Sequence, residues 1–231
     1  MISVRKSSER GKASFGWLDS RHTFSFGHYY DPKHMGFSAL RVINDDVVKP
    51  AAGFDTHGHK DMEIISYVLQ GSIQHKDSAG NVQTLPAGEF QLMSAGKGIL
   101  HSEYNASATE DLRFLQIWIE PNTFGGEPDY QQKDFGQQLG LTTIVTPDGQ
   151  DGSLKIKQDA KLHQLILQPD QNFQFQSTLA RKIYVHIVNG KLGLAGITLS
   201  QGDGGKVTGE SKLDFTNHHN ANATALIFEL P

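Results

Sequence analysis

Apolar positions along the chain fall in short runs, not at helical spacing. Seven stand out: ALRVIN (39–44), EIISYVLQG (63–71), LRFLQIWIE (112–120), LTTIV (141–145), HQLILQ (163–168), KIYVHIVNG (182–190) and ALIFEL (225–230). They are rich in Val, Ile, Tyr and Phe, and Gly, Pro, Asn and Asp separate them. Such a pattern predicts an all-β protein of sandwich or barrel type. The 24 glycines agree, because tight turns between many strands need positive φ.

The segment PNTFGGEPDYQQKDFGQQLG (121–140) is poor in aliphatics and rich in Gly, Gln and Pro, so it reads as a connection. The two sides of it resemble each other. YVLQGSIQH (67–75) matches HIVNGKLGL (186–194), and LPAGE (85–89) matches LSQGD (199–203). Two copies of one antiparallel β-barrel are expected, over 1–130 and 131–231. Carried across, the repeat sets Gln176 and Thr178 opposite His57 and His59. It sets Phe215 and Asn217 opposite His101 and Glu103. Paired histidines and acids are therefore expected in the first copy, and the second is expected to lack metal ligands.

Composition narrows the function. With 37% hydrophobic and 20% charged residues the chain can build a core. A net charge of −4 without a basic stripe argues against nucleic acid. No secretory apolar region and no membrane-length apolar stretch is visible, so a cytoplasmic protein without a membrane partner is expected; a monomer is the expectation for two such units in a chain of this length. The absence of cysteine excludes disulfides and thiolate ligands, leaving nitrogen and oxygen for any metal.

Two stretches carry candidate chemistry: THGHKDMEI (56–64) and HSEYN (101–105). Residues i and i+2 share a face of a strand, so His57 with His59, and His101 with Glu103, would each aim two metal-type donors into one space. The isolated His22, His28, His34 and His75 read as ordinary core or surface residues, with His22 a candidate for a pocket mouth. His186 reads as a packed strand residue, and NHHN (217–220) as an exposed turn. Trp17, Phe24, Phe26, Tyr29, Tyr30 and Phe37 read mostly as core, although such rings can also stack a flat ligand.

GFDTHGHKDMEIISYVLQG and GNVQTLPAGEF followed by GILHSEYN resemble the two motifs of the cupin superfamily. The longer runs HTFSFGHYYDPKHMGFSALRVINDD, THGHKDMEI and PAGEFQLMSAGKGILHSEYN resemble the pirin family. The resemblance implies a bicupin of two jelly-roll (double-stranded β-helix) barrels. It implies one divalent transition metal, iron first and Ni, Cu, Co, Zn or Mn as alternatives, held by His57, His59, His101 and Glu103. In many cupins the acid follows the H-x-H closely, which here would be Glu63; the pirin pattern gives Glu103. Three imidazoles and one carboxylate leave open positions, as in non-haem oxygenases. Bacterial pirins are associated with quercetin 2,3-dioxygenase activity. The implied partners are a flavonol and dioxygen, with Glu103 as the base that takes the flavonol 3-hydroxyl proton. The alternative the family implies is a metal-binding regulatory protein without turnover.

Overall fold

A computed structural model describes residues 1–231. All seven expected runs lie in strands, and the only helical segments are single 3-10 turns at Ser7–Glu9 and Gln150–Gly152. Strand pairs are antiparallel, except that Gly140–Thr146 runs parallel to the two-residue strand Leu154–Lys155. No helix is long and apolar enough to cross a membrane.

The chain divides into two units. The amino-terminal unit comprises Gly11–Gly136 and Ile156–Gln158; the carboxyl-terminal unit comprises Met1–Arg10, Gln137–Lys155 and Asp159–Pro231. The first ten residues go with the second unit because Ile2–Arg5 pairs with Gly204–Val207 at the edge of its sheet. Each unit is a seven-stranded and a four-stranded sheet packed as a jelly-roll sandwich, not a single closed hydrogen-bonded barrel.

In the amino-terminal unit the larger sheet runs in the order Asp129–Asp134, Glu89–Ser94, Glu63–Gln70, Leu112–Ile119, Leu40–Val48, Leu18–His22 and Gly11–Ser14. The smaller runs Gly53–His59, Ile99–Asn105, Ser72–Asp77 and Val82–Pro86. Asp129–Asp134 lies inside the stretch expected as a connection. It is an edge strand on Glu89–Ser94, and its polar sequence DYQQKD shows no alternation because its side chains are half-buried or exposed.

The repeat is exact enough to align by hydrogen bonds. Asn105 Nδ2 donates to the carbonyls of Val48 and Glu110, and its Oδ1 accepts from Ser107 N. Asn217 does the same with Leu167, Ala221 and His219 N. Asn217 is therefore a buried plug; only the rest of NHHN is at the surface. This match pairs His101 with Leu213 and Glu103 with Phe215, two residues from where the short sequence repeats place them. Ladder registers extend the alignment. Glu103 faces His75 where Phe215 faces Leu194. His101 faces His57 where Leu213 faces Phe175. Ser66 faces Gln116 where Val185 faces Ile227.

The consequence is a contrast between two interiors of one design. In the carboxyl-terminal unit, Phe175, Val185, Leu194, Leu213, Phe215 and Ile227 belong to one continuous apolar cluster. In the amino-terminal unit the interior holds two smaller clusters, one around Phe114 and Val68, the other around Ile64 and Met93. Polar side chains occupy the matching positions between the sheets. Burial of apolar surface stabilises the second unit most. Phe215→Ala is expected to cost about 3–5 kcal/mol, read as a lower urea midpoint; an unshifted midpoint would contradict this assignment of the core.

Candidate metal centre and its cavity

The donors come from two paired strands of the smaller sheet. His101 sits opposite His57, and Ile99 opposite His59. Between His101 and Glu103 the register slips, so that Glu103 faces Phe54. This bulge adds a residue on the Gly53–His59 strand and re-aims its side chains. Gly53 is needed there: a Cβ would lie 2.4 Å from the Glu103 carbonyl oxygen and 2.5 Å from Tyr104 Cα.

Two overlapping groups of metal-type side chains result: His57, His59 and His101, and His75, His101 and Glu103. Within each group the ligand atoms lie within 4.8 Å of one another. Nε2 of His101 is 3.1 Å from Nε2 of His57. His57 Nδ1 donates to the Asp55 carbonyl at 2.7 Å, which leaves its Nε2 as a lone pair facing the cluster. His59 Nε2 and His101 Nδ1 are buried with no hydrogen-bond partner. Glu103 is fully buried; Ser66 Oγ donates to its Oε1 and Gln116 Nε2 to its Oε2, each at 3.2 Å. This nitrogen and oxygen set fits a divalent transition metal.

Glu63 is turned elsewhere. Ser94 Oγ donates to it at 2.8 Å and Lys157 N at 3.2 Å, while burial holds its carboxyl above the usual range. His75, expected to be an ordinary residue, stands instead beside His101 and Glu103, and its Nε2 donates to Asp77 at 3.2 Å. No signal in the sequence singles it out, because its position depends on cross-strand pairing with Glu103.

Burial, with His101 and His57 beside it, pushes His59 down to about 4. Burial, with His57 and His75 nearby, takes His101 down to about 3. Both rings are neutral at pH 7, the form that binds metal. The sign for stability follows. Below the ordinary histidine value near 6.5, the unfolded chain takes up protons that these two folded rings refuse. Stability of the metal-free protein should thus fall as pH drops from about 6.5 toward 4. Glu63, raised by burial, acts in the opposite sense, so the contrast is read against His101→Leu. Thermal melts between pH 7.5 and 5 should decline less steeply for that variant; identical slopes would refute the assignment.

The cluster opens on a cavity of about 550 Å³. His57 and His59 form part of its wall together with Trp17, Phe26, Phe54 and Trp118. The rings meet edge to face: Trp118 with His59 at 5.0 Å, Trp118 with Phe26 at 5.3 Å, and Trp17 with Phe54 at 5.1 Å. The aromatic run thus divides. Trp17, Phe26 and Tyr29 line the cavity, Phe24 is buried core, Phe37 is half-buried and Tyr30 is exposed. His22 is buried in the cavity wall, and the exposed His28 also borders it. His186 is a buried strand residue, as expected.

Comparison with known proteins agrees with this architecture. The family model described as Pirin matches residues 3–119, and one described as Quercetinase C-terminal cupin domain matches 143–230. The chain belongs to the pirin family. It is 48% identical to the protein named quercetin 2,3-dioxygenase of Escherichia coli K12, over all of this chain and 99% of the other. A pirin-like protein of Caulobacter vibrioides is 39% identical over 94% of each chain. Among solved pirin structures, that of E. coli YhhW in complex with nickel(II) superposes with a TM-score of 0.96 over 100% of this chain and 99% of the other, at 48% identity.

Proposed function

We propose that this pirin is a metal-dependent dioxygenase that opens the heterocycle of quercetin-like flavonols with release of carbon monoxide. In this reading His57, His59, His101 and Glu103 hold one divalent transition metal, iron in the first place. The observation that carries it is that His57 and His59 belong at once to the donor cluster and to the wall of an aromatic cavity. A relative of 48% identity bears the dioxygenase name, and a nickel(II) complex of an E. coli pirin has been solved.

A bound divalent metal supplies Lewis acidity toward a hydroxyl and a place for dioxygen. The chain does the rest. The aromatic walls receive the flat substrate and exclude water. Glu103 accepts the proton of the 3-hydroxyl. Ser66 and Gln116 keep that carboxylate aimed by donating to both of its oxygens. The Asp55 carbonyl fixes His57 in the tautomer whose Nε2 is unprotonated and offers its lone pair. Flavonol and dioxygen are consumed, and the ring-opened ester and carbon monoxide leave. The test is oxygen uptake together with loss of flavonol absorbance after reconstitution with Fe, Ni, Cu, Co, Mn or Zn. Stoichiometric metal without oxygen uptake under any of these would replace the enzyme by a metal-binding regulatory module.

A further inference from the structure

The larger sheet carries a polar row across its inner face. His22 faces Asn44, Asn44 faces Gln116, Gln116 faces Ser66 and Ser66 faces Gln91. All five are buried. Gln116 and Ser66 have a task, since they hold Glu103. The row continues past them to Asn44, one strand and about 4.8 Å further on. Next to it, Ser20 faces Asp46 on the same pair of strands as His22 and Asn44.

Ser20 Oγ, Asn44 Oδ1 and Trp118 Nε1 are among the polar atoms of this wall that have no hydrogen-bond partner in the protein. Ser20 and Asn44 are each only 1% exposed, and all three residues line the cavity that reaches His57 and His59. An unsatisfied buried polar group costs about 1–3 kcal/mol. The fold does not require this cost. In the carboxyl-terminal unit the positions of Ser20 and Asp46 fall to Leu141 and Leu165, which face each other and pack on the apolar core. The positions of His22 and Asn44 fall to Thr143 and His163, which are bonded to each other at 3.1 Å. In the amino-terminal unit the corresponding side chains line a cavity instead.

The chemistry of the three atoms selects the group that would meet them. The Asn44 oxygen only accepts, the Trp118 ring N–H only donates, and the Ser20 hydroxyl does both. A hydroxyl, donor and acceptor in one, can meet any of the three, so separate hydroxyls on one ligand can meet them in turn. A carboxylate or phosphate would meet the Asn44 oxygen and the buried Asp46 side by side. We infer that Ser20, Asn44 and Trp118 form a recognition patch for hydroxyl groups remote from the reacting one. The cavity then selects polyhydroxylated planar aromatics over their bare counterparts. This rests on the reading above that the cavity receives the aromatic substrate.

The chain's two tryptophans, Trp17 and Trp118, both line the cavity, so their fluorescence reports binding without turnover. Metal-loaded protein is titrated under argon with quercetin and with 3-hydroxyflavone, which keeps the 3-hydroxyl and lacks the others. Quercetin should bind roughly tenfold more tightly, as expected for two neutral hydrogen bonds. The double variant Ser20→Ala, Asn44→Leu should lose that preference while 3-hydroxyflavone affinity holds, which also certifies its fold. If the double variant fails to fold, Ser20→Ala alone decides by the same ratio. Equal affinities in the parent protein, no quenching by either probe, or an undiminished ratio in the variants overturns the inference. Oxygen uptake without hydroxyl preference removes this inference and leaves the dioxygenase; hydroxyl-selective binding without oxygen uptake does the reverse.

Discussion

Oxygen uptake on quercetin is expected to fall roughly 100- to 10,000-fold in Glu103→Gln, the range lost with a general base. Bound metal is expected to fall far less. Gln keeps an oxygen that can ligate, and it occupies the same volume. What it cannot do is accept the substrate proton. The neighbours sharpen the expectation. Ser66 and Gln116 both donate to the carboxylate, so an amide at this position places an NH₂ against at least one donor and turns the group. Metal analysis of the purified variant beside its oxygen consumption separates the roles. Parallel loss of metal and rate would reduce Glu103 to a plain ligand.

His101→Leu is expected to have two effects of opposite value. Metal binding should be abolished, because His101 is shared by both donor groups. The metal-free protein should become more stable. The ring is fully buried, its Nδ1 has no partner, and the matching residue in the other unit is Leu213, a member of a continuous apolar core. Removing one unsatisfied polar group is worth about 1 kcal/mol, or about 2–4 °C for a chain of this size. Function and stability thus compete at one position. A lower melting midpoint in the metal-free variant would show that the polar interior is itself structural.

These expectations draw on features of unequal legibility in the sequence. The long apolar runs are central strands of both larger sheets, buried on at least one face, so their composition announces them. The pairs His57 with His59 and His101 with Glu103 are legible because a spacing of two survives any register. Glu103 against Glu63 is not decided by parity; it depends on which face each strand turns to Ser66 or Ser94. His75 and the row from His22 to Gln91 are invisible for a related reason. None of them belongs to a recognisable motif within its own strand, and only the ladder sets them side by side. The edge strand Asp129–Asp134 hides because nothing on it needs to be apolar. The bulge that separates Glu103 from His101's register leaves no mark in composition either.

The pairing of Ile2–Arg5 with Gly204–Val207 sets an order of events for the growing polypeptide. Ile2–Arg5 is made well before its partner and must wait, unmatched, until Gly204–Val207 has been synthesised. Closing so wide a loop is entropically slow, and it belongs at the end of folding, not the beginning. A tag or truncation at the amino terminus should accordingly disturb the half of the protein translated last and spare the half that follows it directly.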